Sequence, residues 1–131
     1  MKQITLMEKY PVFTLEILKS ETSYKNCDEI AHALKEKIYA HPIAEFIALF
    51  EHYLHTKNLK DGKIASDILD AKNVVFCFGK ELPKAEVLAV RPRSIGICEK
   101  KECFILSFME APSAEGNKVM EEWVKSIANK N

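Results

Sequence analysis

The chain has 131 residues, of which 19 are basic and 19 acidic, with 47% hydrophobic and 29% charged positions. That length and composition describe one globular domain over 1–131 with a core of its own and exclude disorder, and zero net charge removes the electrostatic case for nucleic acid or an anionic membrane as principal partner. No apolar run reaches the length of a membrane span, residues 1–9 lack the pattern of a secretory leader, and Cys27, Cys77, Cys98 and Cys103 show no Cys-x-x-Cys spacing, so a cytoplasmic protein with free thiols is expected.

Val12 to Lys19 alternates, with Phe13, Leu15 and Ile17 on one face and Thr14 and Glu16 on the other, and predicts the first strand. Asn26 followed by Glu29 has the form of a capping box. From there Ile30, Ala33, Leu34 and Ile38 keep the helical period until Pro42 removes a donor and drives His41 out of the helix. Ile43 to Tyr53 fits helix and strand equally well by apolar density; its start at a proline and its Phe and Ile content favour a strand. Lys57 to Lys72 reads as a long connection that turns at Asp61-Gly62 and pins Ile64, Ile68 and Leu69 to the core.

Asn73 to Gly79 carries Val74-Val75-Phe76-Cys77-Phe78 without a polar residue, which predicts a central strand covered on both faces, with Phe76 and Phe78 buried on opposite sides. Pro83 to Val90 predicts a short helix that Arg91-Pro92-Arg93 ends. Ile95–Glu99 and Cys103–Met109 form a hairpin around Lys100-Lys101-Glu102; a two-residue loop sets Cys98 opposite Cys103, and a longer bulged loop breaks that match. Ser113 is a good N-cap for a last helix whose apolar face is Val119, Met120, Trp123, Val124 and Ile127, so Trp123 reads as core or dimer interface rather than a stacking platform for bases. The fold class is therefore α+β, a single mixed sheet of about five strands in the order β-α-β-β-(α)-β-β-α with helices mainly on one face.

Three short motifs carry a family resemblance. Phe50-Glu51-His52, Val75-Phe76-Cys77-Phe78-Gly79 and Glu110-Ala111-Pro112 resemble the Ile-Asp-His, Phe-Gly and Asp-Pro motifs of the bacterial "domain of unknown function" family three-hundred-and-two, over residues 11 to 128. Lys80-Glu81-Leu82-Pro83 departs from that family's Asn-Pro after the glycine, and the connection before the strand is longer. The resemblance implies a compact open sheet with helices, a bacterial source and a dimer, and it supplies no activity.

Candidate chemistry lies in three places. His52 and His55 sit beside Glu51, but residues three apart on a strand face opposite ways, so a shared metal requires a bend after Tyr53 or the arrival of His41 and Glu45. Cys77 served by His52 is a conceivable nucleophile, although a strand cysteine is more often a small core residue. Arg91 and Arg93 offer two guanidinium groups that can each hold a carboxylate or phosphate, without the glycine-rich loop of a nucleotide site. With no paired acid and base, the sequence favours a non-catalytic domain without a cofactor that binds a small ligand, an anion among those considered, or a second copy of itself as a homodimer. Glu51, His52, His55, Arg91 and Arg93 are its candidate ligand-binding residues. The alternative is a metal-binding or redox protein centred on His52, His55 and Cys77.

Overall fold

The computed structural model describes residues 1–129. Strands β1 (Lys2–Leu6), β2 (Tyr10–Leu18), β3 (Glu45–Phe50), β4 (Asp70–Cys77), β5 (Arg93–Glu99) and β6 (Cys103–Met109) form one sheet in the order β1-β2-β6-β5-β4-β3. Helices α1 (Cys27–Ala40), α2 (His52–Lys57) and α3 (Ala114–Lys125) complete the fold, with 3-10 turns at Lys19–Glu21 and Ala85–Val90. The α+β class and the single sheet hold. Every strand pair is antiparallel, however, so the expected mixed sheet becomes a fully antiparallel one of six strands.

The additional strand is β1. Met7 and Glu8 take positive φ angles of 53° and 63°, and the Lys9 amide donates to the Leu6 carbonyl at 3.1 Å, which folds β1 onto β2. Such turns are normally announced by Asn or Gly; here neither is present, and the strand leaves no turn signal. Where the signals were strong the elements form as expected. The Asn26 side chain accepts from the Glu29 amide at 2.8 Å, and the Glu29 carboxylate reaches back to the Lys25 amide at 2.8 Å. The Ser113 hydroxyl accepts from the Gly116 amide at 3.1 Å and opens α3.

α1 and α3 cover one face of the sheet. Ile30, Leu34 and Ile38 of α1 and Met120, Trp123 and Val124 of α3 bury against Ile17, Val74, Phe76, Ile95, Ile97, Phe104 and Leu106. Behind them the Thr22 hydroxyl donates to the Ile127 carbonyl at 2.7 Å and accepts from the Tyr24 amide, tying the end of α3 to the chain entering α1.

Two expectations about β4 need correction. It stands between β5 and the edge strand β3, next to the rim of the sheet rather than at its centre. Phe76 and Phe78 lie on the same side, with ring centroids 5.4 Å apart, because side chains two residues apart share a face. Only Lys72, Val74 and Phe76 are buried; Val75 and Cys77 point to the other face, which neither α1 nor α3 covers.

The β5–β6 hairpin takes the longer loop. Glu99 pairs with Phe104 and Cys98 with Ile105, and the Lys100 amide donates to the Cys103 carbonyl at 2.8 Å, so Cys98 does not stand opposite Cys103. The two-residue loop would have set Glu99 against Glu102, which the observed register avoids. All four cysteines are free.

Candidate functional site

The end of β4 is built differently from its middle. Phe78 leaves the strand with its ring stacked on Trp123 at 5.4 Å and edge-on to His41 at 5.5 Å. His41 is the C-cap of α1, and its Nδ1 accepts from the amides of Ile43 and Ala44, each at 3.2 Å, so Pro42 turns the chain around this ring. Gly79 follows where a Cβ would lie 3.2 Å from the Arg91 guanidinium and 3.0 Å from the Cys77 sulfur; its use is close approach, and its φ is not positive. Lys80 to Val90 then loops out and returns through the 3-10 turn Ala85–Val90 to a cis Arg91–Pro92 bond.

These pieces and the first turn of α3 enclose a cavity of about 380 Å³. Ile43, Phe78, Val87, Val90 and Val119 supply its apolar wall, and His41, Lys80, Arg91, Arg93 and Ser113 its polar groups, with Glu81 and Glu115 also present. Arg91 donates to the Glu81 carbonyl at 2.6 Å. Arg93 donates to the carbonyls of Val90, at 3.1 Å, and Met109, and its Nε is buried without an acceptor among the described residues. Burial holds the Arg93 guanidinium below its ordinary pKa. Among the described residues neither arginine forms an ion pair with a carboxylate.

The remaining candidates lie elsewhere. Phe50 stands opposite Asn73, whereas Arg93 stands opposite Phe76, three residues or about 10 Å further along β4. Glu51 pairs with Lys72, which also meets Asp28 at 3.1 Å and Asp70 at 3.8 Å. His52 and His55 flank the Phe50 ring at 4.9 and 5.4 Å, and His52 Nδ1 is 2.8 Å from the Asn73 amide oxygen. Cys77 lies four residues beyond Asn73, about 13 Å along the strand, and accepts from the Gly79 amide at 3.1 Å. His52, His55 and Cys77 are therefore not brought together.

The family model of DUF6858, a family of unknown function, matches residues 1–129. The chain belongs to DUF6858. No curated protein and no solved structure matches it significantly. The match does not show the likeness to family three-hundred-and-two drawn from short motifs; what stands is a small α+β domain of a family without an assigned function. No helix among the described residues is long and apolar enough to cross a membrane.

One group of potential metal ligands does converge in this DUF6858 chain, and it was not foreseen: Cys27, Asp70 and Glu99, whose ligand atoms lie within 4.8 Å of one another. Its charges are already matched, with Lys19 2.7 Å from Glu99 and Lys72 3.8 Å from Asp70. Burial, reinforced by Asp70 and Glu99, pushes the Cys27 thiol well above its ordinary range and keeps it protonated, which disfavours metal binding. His41, Phe78, Lys80 and Ser113 are the cavity residues that sequence reasoning missed as a site. They are scattered along the chain and carry no common spacing.

Proposed function

We propose that this chain is a non-catalytic small-ligand-binding domain whose site is the cavity between the end of β4, the Arg91–Arg93 turn and the start of α3. The observation that carries the reading is two guanidinium groups lining one partly apolar cavity, neither of them in an ion pair with a carboxylate among the described residues. A site of this volume with an apolar wall and a few convergent polar groups is the usual form of a small-molecule pocket. Its chemistry suits a small organic anion: a carboxylate or phosphate for Arg91, Arg93 and Lys80, and an apolar body for Phe78, Val87 and Val119. Glu51, His52 and His55 have no part in this reading, since their contacts with Lys72, Asn73 and Phe50 join α2 to the sheet.

Thermal-shift and calorimetric titration with aliphatic and aromatic carboxylates, phosphate monoesters and their uncharged amide or alcohol analogues tests it. Saturable stabilisation by the anions alone is expected, weakened by about 10- to 100-fold in Arg91→Gln, the scale of a lost charged hydrogen bond. Equal effects from anions and their neutral analogues, or none from either, would overturn it.

A further inference from the structure

Resting on the reading of the cavity as an anion site, we infer that His41 is its specificity-determining residue and that the ligand is an anion whose apolar body carries a second, uncharged acceptor oxygen, such as a ketone. His41 Nδ1 accepts from the Ile43 and Ala44 amides, each at 3.2 Å. A ring nitrogen that accepts N–H bonds carries no proton, so the ring proton is on Nε2 and that nitrogen is a donor. His41 makes no other side-chain hydrogen bond among the described residues, and its half-buried ring lines the cavity, which leaves this donor for a ligand.

The donor is also held in place. The ring stands edge-on to Phe78 at 5.5 Å and to Trp123 at 5.8 Å, with interplanar angles of 70° and 89°. Turning it over to present Nδ1 would give up both amide bonds, so the site meets its ligand with a preformed N–H group.

The strand order separates this donor from the guanidinium groups. Arg91 and Arg93 enter the cavity from the β5 side of β4, and His41 from the β3 side. β5 and β3 are two strand spacings, about 9.6 Å, apart, with Phe78 at the end of β4 between them. An anionic group drawn to the arginines therefore leaves Nε2–H to another part of the same molecule, across the Phe78 ring. A methylene at that point would leave the N–H unpaired, and a site built to hydrogen-bond an oxygen discriminates against the analogue that lacks it. The oxygen is uncharged in this reading because the Glu81 and Glu115 carboxylates also line the cavity and oppose a second negative charge.

Titration calorimetry with carboxylate pairs that differ only by oxo for methylene tests the proposal: levulinate against pentanoate, para-acetylbenzoate against para-ethylbenzoate, and benzoylpropionate against phenylbutyrate. Tighter binding of the oxo member of at least one pair by about 3- to 10-fold is expected, the range of one neutral hydrogen bond. His41→Asn keeps a side-chain acceptor for the Ile43 and Ala44 amides and removes Nε2–H, so this preference should vanish with an unchanged far-ultraviolet spectrum. Heteronuclear NMR of the imidazole needs no variant: the ring proton should be on Nε2 in the free protein, and its resonance should move more with the oxo acid than with its partner. Carboxylate binding with no preference in any pair, a preference that survives His41→Asn, or a ring proton on Nδ1 would each overturn this inference and leave the anion reading standing. Failure of every carboxylate to bind would also overturn it, and the anion reading falls with it when phosphate monoesters fail too.

Discussion

Lys72 is the one charged side chain buried among the described residues, 6% exposed on the helix-covered side of β4. Burial opposes its charge, but the hydrogen bonds to Glu51 and Asp28 and the charge of Asp70 outweigh that, and its pKa lies above the ordinary 10.5. Removing one partner of a buried pair typically costs about 3–5 kcal/mol. Because Asp28 and Glu51 can rehydrate, Lys72→Ala is expected to cost about 2–3 kcal/mol, and Lys72→Met, which keeps the packed stem, less.

The pH dependence follows from the same group. A folded pKa raised above the unfolded one gives stability that is complete below the unfolded value and lost as pH rises through the folded value. For Lys72 that loss begins above 10.5, and for the Cys27 thiol, raised chiefly by burial, above 9.0. Urea midpoints taken from about pH 8 to 11 should therefore fall with rising pH, and Lys72→Met should flatten only the upper part of the decline. Phe76 and Phe78 divide similarly by environment. Phe76→Ala empties a fully buried site and should cost about 3–5 kcal/mol, while Phe78→Ala, at the wall of the cavity, should cost about 1–3 kcal/mol by the same denaturation assay.

At the scale of elements, the caps and tethers decide where helices begin and how they are held. Asn26→Ala should lower stability by about 1 kcal/mol, since the Glu29 amide loses its acceptor. Thr22→Val leaves the Ile127 carbonyl without its donor in a buried place and should cost about 1–2 kcal/mol. Hydrogen exchange at the end of α3 should speed up in this variant while α1 is unaffected, which separates a local tether from a general loss of packing. α2 is held by the packing of its His52 and His55 on Phe50 and by the Glu51–Lys72 pair rather than by a capping side chain.

For the whole molecule, the convergence of Cys27, Asp70 and Glu99 predicts no dependence on metal. The two acids are paired with lysines and the thiol stays protonated, so a divalent cation would have to displace two ammonium groups and a proton. Melting temperatures should be equal with a chelator and with added zinc, and a rise with zinc that Cys27→Ala abolishes would show the cluster to be a site.

The sequence by itself determined β2, α1, the β5–β6 hairpin and α3, because each is specified by local chemistry: strict alternation before Ser20, the Asn26 cap and Pro42 stop, charged residues at a hairpin tip, and Ser113 ahead of an apolar stripe. The shared side of Phe76 and Phe78 was also legible, since a period of two places them together without any tertiary information. Tertiary structure alone decided the rest. β1 exists because Met7 and Glu8 are held in a turn their own propensities disfavour, and the six-residue α2 is too short to outweigh the strand-like run before it. The cavity arises because antiparallel pairing of β4 with β5 sets Phe76 against Arg93, while α3 lands its first turn beside them. His41, Phe78, Arg91, Arg93 and Ser113 become neighbours through long-range pairing, and no spacing along the chain records it.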